Sequence, residues 1–354
     1  MLRPHRTAPC VLAWTVLVLA KAASGQAFDE AQASQPRSAW MQEAKWGVMT
    51  HYLFDWIARE QGFAMDVERW NALVDGFDVE ALAEQLRSVG AGYHILTLGQ
   101  NSGYYLAPNS TYDRLVGIHP SRCSRRDLVS DLSAALRKRG IRLIVYLPSG
   151  APNGDAVARE ALQWQNGPHP NREFKQKWEA VVRDWSLRFG ERIDGWWFDG
   201  CYWPNTMYRT PDTPNFATLA AAARAGNPGS VVAFNPGVVP RILSITPHED
   251  YTAGEISDPT TLSIRRATDG RIDGAQLHVL SYLGRTWGLG APRFPTDTVV
   301  GWSRDVRKER GALTWDVPVE PGGRLSEPFL HQLSAIGTAL AGGTTAPAAA
   351  RVSR

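Results

Sequence analysis

Eight short apolar runs, separated by amphipathic stretches, constrain this chain more than any other feature. They are Trp46 to Tyr52, Tyr93 to Leu98, Ile141 to Leu147, Ile193 to Asp199, Ser230 to Asn235, Asp250 to Ala253, Gln276 to Tyr282 and Ala312 to Val317. Most are apolar on consecutive residues, the pattern of parallel strands covered on both faces. Helical patterns fall between them. One opens at Asp78 as an N-cap and closes at Gly90, and Arg126 to Arg139 closes at Gly140. Glu173 to Phe189 carries Phe174, Trp178, Val181, Val182 and Trp185 on one face. Further helices are expected near Phe216 to Ala225, Thr296 to Glu309 and Glu327 to Leu340. Strands alternating with helices read as an α/β fold, a (β/α)8 TIM-like barrel over residues 40–340. An open doubly wound sheet would bring a glycine-rich phosphate turn after its first strand, and none is present. No C-terminal β-sandwich is evident.

In such a barrel the chemistry belongs at the carboxyl ends of the strands. The run Ile193-Asp194-Gly195-Trp196-Trp197-Phe198-Asp199-Gly200 ends in a carboxylate and a glycine that lets the chain turn away, which leaves Asp199 at the rim. His51, the stretch Gly99 to Tyr105, Asn235, the Asp250 to Glu255 segment and Trp287 occupy equivalent positions. Trp56, Trp203 and Trp287 sit in these loops, where flat aromatic faces suit sugar rings. Two carboxylates flanking one bond are the minimum for glycoside hydrolysis. Asp199 is the expected nucleophile and Glu255 the expected acid/base, with Glu249 the second choice. Asp194 reads as a turn residue, His94 as a core histidine, and the charged run Arg122 to Asp127 as a helix entry. Asn109-Ser110-Thr111 fits a glycosylation sequon.

The first 25 residues read as a secretory signal peptide: a short basic start, the apolar run Val11 to Ala20, and small residues around Ser24 and Gly25. Residues 26–39 are expected to be a linker and 341–354 a loose tail. Localisation is therefore expected to be secreted or periplasmic, with no membrane association after cleavage. The leader carries three basic residues and no acid, so the 38 basic residues fall to 35 and balance the 35 acids. A chain without excess positive charge is a poor nucleic-acid binder. Cys123 and Cys201 could pair in an exported protein. No metal-ligand spacing appears, and neither metal nor organic cofactor is expected.

The chain resembles the α-L-fucosidase-like retaining glycosidases, glycoside hydrolase family 29. Trp46-Gly47-Val48-Met49-Thr50-His51-Tyr52 is similar to the family's opening strand, and Ile193 to Gly200 to its nucleophile strand. Trp287-Gly288 and Gly311 to Trp315 resemble later barrel motifs, and Gly322 to Gly337 resembles the closing helix. The resemblance implies Asp199 as covalent nucleophile and a sugar contact for His51, and it carries Glu255 over only as acid/base. The family's Thr-x-Lys-His-His-Asp-Gly-Phe stretch is here Thr97-Leu98-Gly99-Gln100-Asn101-Ser102-Gly103-Tyr104. Gln100 and Asn101 can exchange hydrogen bonds with hydroxyls but carry no charge. The expected sugar site is then His51, Gln100, Asn101, Tyr104 and Trp287, taking a carbohydrate substrate at its terminal sugar. A glycosidase of non-fucose specificity and a carbohydrate-binding barrel without catalysis remain open.

Overall fold

A computed structural model describes residues 36–202, 208–239, 241–259, 267 and 269–341. The expected signal peptide, the tail beyond Ala341 and Trp203 lie outside these residues. Seven parallel strands form one curled sheet. They are β1 (Trp46–Thr50), β2 (Tyr93–Thr97), β3 (Arg142–Pro148), β4 (Gly195–Asp199), β5 (Val231–Phe234), β8 (His278–Tyr282) and β9 (Ala312–Asp316), and a two-residue hairpin, β6 (Arg271–Ile272) with β7 (Ala275–Gln276), precedes β8. The sheet order is β5-β4-β3-β2-β1-β9-β8.

The seven strands of the sheet are buried on both faces along nearly all of their length, and their period of two sorts the side chains into two cores. Met49, Ile95, Ile144, Tyr146, Trp197, Ala233, Leu280 and Ala312 form one cluster on the inner face. Val48, Leu96, Val145, Trp196, Phe198, Val232 and Trp315 join a larger cluster with the helices. Asp199 follows the inner-face Trp197 by two residues, and His51 follows Met49 in the same way. That parity aims both into the mouth of the sheet.

The helices are α1 (Ala39–Ala44), α2 (Phe54–Gln61), α3 (Val67–Asp75), α4 (Val79–Ser88), α5 (Ser110–Val116), α6 (Leu128–Arg137), α7 (Ala156–Ala161), α8 (Arg172–Phe189), α9 (Phe216–Ala223), α10 (Thr296–Lys308) and α11 (Glu327–Ala341). Helix α1 begins at the last residue of the expected linker. Asp78 and Asp127 cap α4 and α6 by accepting from Ala81 N and Ser130 N. Helix α8 buries Phe174, Trp178, Val181, Val182, Trp185 and Phe189 along one stripe. Each of its buried Val and Phe side chains contributes roughly 1.5–3 kcal/mol relative to exposure. Asn109 is fully buried: its side chain accepts from Tyr112 N to cap α5 and donates to Val181 O on α8. The sequon asparagine is thus a structural cap.

The expected strand Asp250 to Ala253 is not one. Residues 250–256 do bridge the edge strands through isolated bonds: Asp250 N donates to Val232 O on β5, while on the other side Thr252 N donates to Gln276 O and Leu280 N on β8 donates to Gly254 O. Two local features keep them from a regular ladder. Asp250 Oδ2 takes the Val232 N–H, and Gly254 adopts φ +68°, outside the extended region. A Cβ at Gly254 would lie 2.0 Å from His278 O, so only glycine fits there.

Cys123 and Cys201 are both buried free thiols, so the pairing considered from the sequence is not present. Among the described residues no helix is long and apolar enough to cross a membrane.

Candidate active site

At the carboxyl end of the sheet a cavity of about 170 Å³ opens between His51, Gln100, Tyr146, Asp199, Glu255 and Trp287, over a floor of Met49, Trp197 and Leu280. A cavity of about 150 Å³ accommodates one benzene-sized ring, so the volume suits a single six-membered ring.

Asp199 accepts three hydrogen bonds. Tyr146 Oη donates to Oδ2 at 2.7 Å, while Asn235 Nδ2 and Gly200 N each donate to Oδ1 at 2.8 Å. Gly200 provides its bond at φ +79°, the left-handed turn expected of a glycine after the strand-end acid. Tyr146 in turn accepts from Gln100 Nε2 at 2.7 Å. Burial first, then the Asp199 charge, pushes the Tyr146 hydroxyl well above its ordinary value, so it stays a donor.

Asn235 ends β5 and links the two acids. The same Nδ2 that serves Asp199 donates to Glu255 Oε2 at 2.5 Å. The two acceptor oxygens therefore lie no farther apart than the two bonds end to end, 5.3 Å. Glu255 is held by the Ile256 N bond to Leu280 O and the Leu280 N bond to Gly254 O. Burial, followed by the Asp199 charge, raises its carboxyl to about 7. It is a carboxylic acid able to give a proton near neutrality, beside a carboxylate hydrogen-bonded by three donors.

On the opposite wall His51 Nδ1 lies 2.8 Å from Asp316 Oδ1. A carboxylate only accepts, so this nitrogen carries the hydrogen, and Nε2 is the other ring nitrogen of a residue that lines the cavity. Asp316 Oδ2 accepts from Gly288 N at 2.5 Å, which seats the loop bearing Trp287. Trp56 stacks on His51 with ring centres 5.2 Å apart.

His51, Gln100, Asp199, Glu255 and Trp287 thus meet around one cavity. Asn101 lines a neighbouring one. Tyr104 departs from expectation: it is not among the residues lining the cavity and packs at 4.8 Å against Phe54 in the core, with the Arg122 guanidinium over its ring. Glu249, the second choice for the acid, is buried away from the cavity, where it accepts from Ile245 N and Phe234 N. Asp194 ties the start of β4 to Arg142 and Leu143 N. His94 is a fully buried histidine next to Thr50, its ring pushed down to about 3 by burial. The basic run is structural: Arg122 pairs with Asp155, Arg125 with Glu68 and Arg126 with Asp131. Tyr146 and Asp316 were not singled out from the sequence, and Asn235 was placed at the rim without a role. Asp316 carried the same signal as Asp199, an acid at the carboxyl end of an apolar strand.

The family model for alpha-L-fucosidase matches residues 15–267. The chain belongs to the α-L-fucosidase family. All of its assembled polar site except Asp316 and Trp287 lies inside the matched range. No curated protein matches the chain. Solved structures do. The endo-fucoidan hydrolase MfFcnA4 from glycoside hydrolase family 107 aligns with TM-score 0.67 and 19% identity, over 86% of this chain and 53% of its own. The α-L-fucosidase AlfC from Lactobacillus casei, in complex with α-L-fucose product, aligns with TM-score 0.58 and 15% identity, over 85% of this chain and 97% of its own. The α-L-fucosidase isoenzyme 1 from Paenibacillus thiaminolyticus gives TM-score 0.59 and 18% identity over 87% and 76%. At such identities the likeness is one of fold. This fucosidase-family chain spans about half the length of the fucoidan hydrolase.

Proposed function

We propose that the protein is an exported, retaining exo-glycosidase that hydrolyses a terminal sugar, with Asp199 as nucleophile and Glu255 as acid/base. The observation that carries this reading is the Asn235 amide shared between the two acids. The bridged oxygens lie at most 5.3 Å apart, which fits the close pair of carboxyl groups, roughly 5–5.5 Å apart, that a retaining enzyme uses. In the first step Asp199 attacks the anomeric carbon while Glu255 gives its proton to the departing oxygen. Forming the glycosyl ester removes the Asp199 charge, so the acidity of Glu255 rises as it becomes the base. It then takes a proton from water, whose oxygen attacks the anomeric carbon and releases Asp199.

His51 Nε2 and the Gln100 amide would meet sugar hydroxyls, and Trp287 the apolar face of the ring. The Met49 and Leu280 floor suits the methyl group of a deoxyhexose such as fucose. A closed barrel, with residues 250–256 as its eighth stave, fits the bonds that this run makes to both sheet edges.

The decisive experiment is turnover of aryl α-L-fucosides, galactosides, rhamnosides and arabinosides by wild type and Asp199→Ala, with the anomer of the first product read by NMR. Turnover by wild type with retention, lost by orders of magnitude in the variant, is the expected result. Initial release of the inverted anomer would overturn the mechanism. Binding of a sugar without cleavage of any aryl glycoside would favour a catalytically silent barrel.

A further inference from the structure

Tyr202, in the loop that follows Asp199, lines the active-site cavity together with both acids. Arg209 pins this loop: Nη2 donates to Cys201 O at 2.7 Å and Nη1 to Tyr202 O at 3.2 Å. The Tyr202 ring lies against the loop after β5, so close that a Cβ on Gly237 would sit 2.9 Å from its Cδ1. Gly237 N in turn donates to Asn235 Oδ1 at 3.0 Å, which turns the Asn235 amide nitrogen towards Asp199 and Glu255. Tyr202 therefore stands beside the bridge between the two acids. Its backbone and ring are held, while its hydroxyl keeps a rotation of its own.

Both acids act on that hydroxyl. Burial first, then the Asp199 charge and then that of Glu255 push it above its ordinary value, so Tyr202 keeps its proton near neutrality and stays a donor. Cys201, the other titratable neighbour, is a buried thiol pushed up to about 12 and stays neutral. Tyr202 is not one of the three donors that fix Asp199, so turning its hydroxyl costs Asp199 none of them. The negative charge of the site, by contrast, moves. It sits on Asp199 in the free enzyme. Once Asp199 is a neutral ester and Glu255 has given its proton away, it sits on Glu255. Tyr146 and Gly200 N are tied to Asp199 and do not follow it. A hydrogen bond to a charged acceptor is about twice as strong as one to a neutral acceptor, so a rotatable donor facing both acids turns with the charge.

We propose that Tyr202 is a further catalytic residue, whose hydroxyl donates to Asp199 while that carboxylate attacks and turns to Glu255 once the ester has formed, where it supports the base that activates water. Tyr202 keeps its own proton throughout. The inference rests on the glycosidase reading, and one reagent separates the fates of the two. A 2-deoxy-2-fluoro glycosyl fluoride of the preferred sugar should trap the ester on Asp199, read by peptide mass. The return of the trapped enzyme to activity in buffer then measures the second step by itself. Tyr202→Phe keeps the ring against Gly237 and removes only the oxygen, with folding checked by circular dichroism. It should slow reactivation about tenfold. It should also move the acid limb of reactivation upward in pH. Without the donor the Glu255 carboxylate binds a proton more readily, and the base is lost sooner as pH falls. The other groups acting on Glu255, which are Asp199, Asn235 and His51, are the same in both proteins. Slower reactivation with the limb in place would reduce Tyr202 to packing and overturn the proposal. Slower trapping with reactivation unchanged, or no change in either, would also overturn the role at Glu255 while leaving the glycosidase standing. A wild-type protein that forms no ester on Asp199 would remove both readings.

Discussion

Asp316 holds His51 across 265 residues of chain, accepting from Nδ1 at 2.8 Å at a position with no solvent exposure. Its other oxygen accepts from Gly288 N, so one carboxylate orients both the imidazole and the Trp287 loop. Asp316→Ala should release both. Misplacement of a positioning group by about 1 Å costs on the order of a hundredfold in rate. A loss of that size in kcat/KM is expected, shared between KM and kcat because substrate contacts are disturbed. Unaltered kinetics in a folded Asp316→Ala would show that His51 needs no such support.

The acid/base role of Glu255 sets a pH limit. Hydrolysis needs its protonated form, and burial together with the Asp199 charge places its titration at about 7. The alkaline limb of kcat/KM should therefore fall through that region. In Asp199→Asn the second cause is gone and the first remains. A titration of Glu255 in that variant by carbon-detected NMR should move downward, yet stay above an ordinary glutamate. An unmoved titration would mean that the two acids are not electrostatically coupled.

Asn235 acts on the same group with opposite sign. Its hydrogen bond lowers the Glu255 titration by favouring the carboxylate. Asn235→Ala should shift the alkaline limb upward while reducing kcat, since Asp199 also loses a donor. A limb that moved downward would contradict the bridge.

Stability should also depend on pH. Glu249, Glu255 and Glu179 are each pushed up to about 7, burial being the largest cause in every case. In an unfolded chain they titrate near 4.3. Between those values the folded state binds more protons, so this contribution is complete below about 4.3 and is lost as pH rises through about 7. The urea midpoint is expected to fall over that interval, and less steeply in Glu249→Gln. The glutamine variant should be weaker at low pH, because its amide oxygen replaces only one of the two oxygens that Phe234 N and Ile245 N use. A wild-type midpoint that climbed across the window would contradict the buried carboxyls.

Asn109 offers a purely structural test. Asn109→Ala removes the cap of α5 and leaves Val181 O without its side-chain donor. About 1–2 kcal/mol of stability should go, read from chemical denaturation, with catalysis in the surviving folded protein unchanged. A variant as stable as wild type would mean that the cap is dispensable.

Much of this was legible in one dimension because the signals are local. Seven of the eight apolar runs are strands, since consecutive apolar residues have few places to go but a sheet covered on both faces. Asp78 and the closing glycines marked the helix ends to within a few residues, while the cap at Asp127 came only with the structure. Strand parity alone aims Asp199 and His51 inward, and nothing distant is needed to see it. The eighth run failed for a reason invisible in its pattern: Gly254 turns to a positive φ and lies so close to His278 O that no side chain fits. Tertiary packing decided the rest. Tyr104 went to the core with Phe54, while Tyr146, read from sequence only as a strand residue, became the donor to Asp199. Asn235 could be placed at a rim by its strand, but no spacing along the chain tells that one amide spans Asp199 at the end of β4 and Glu255 in the irregular run before β6. That bond, like the grip of Asp316 on His51, exists because curling the sheet brings strand ends together that are far apart in sequence, and there burial and charge set what each group can do.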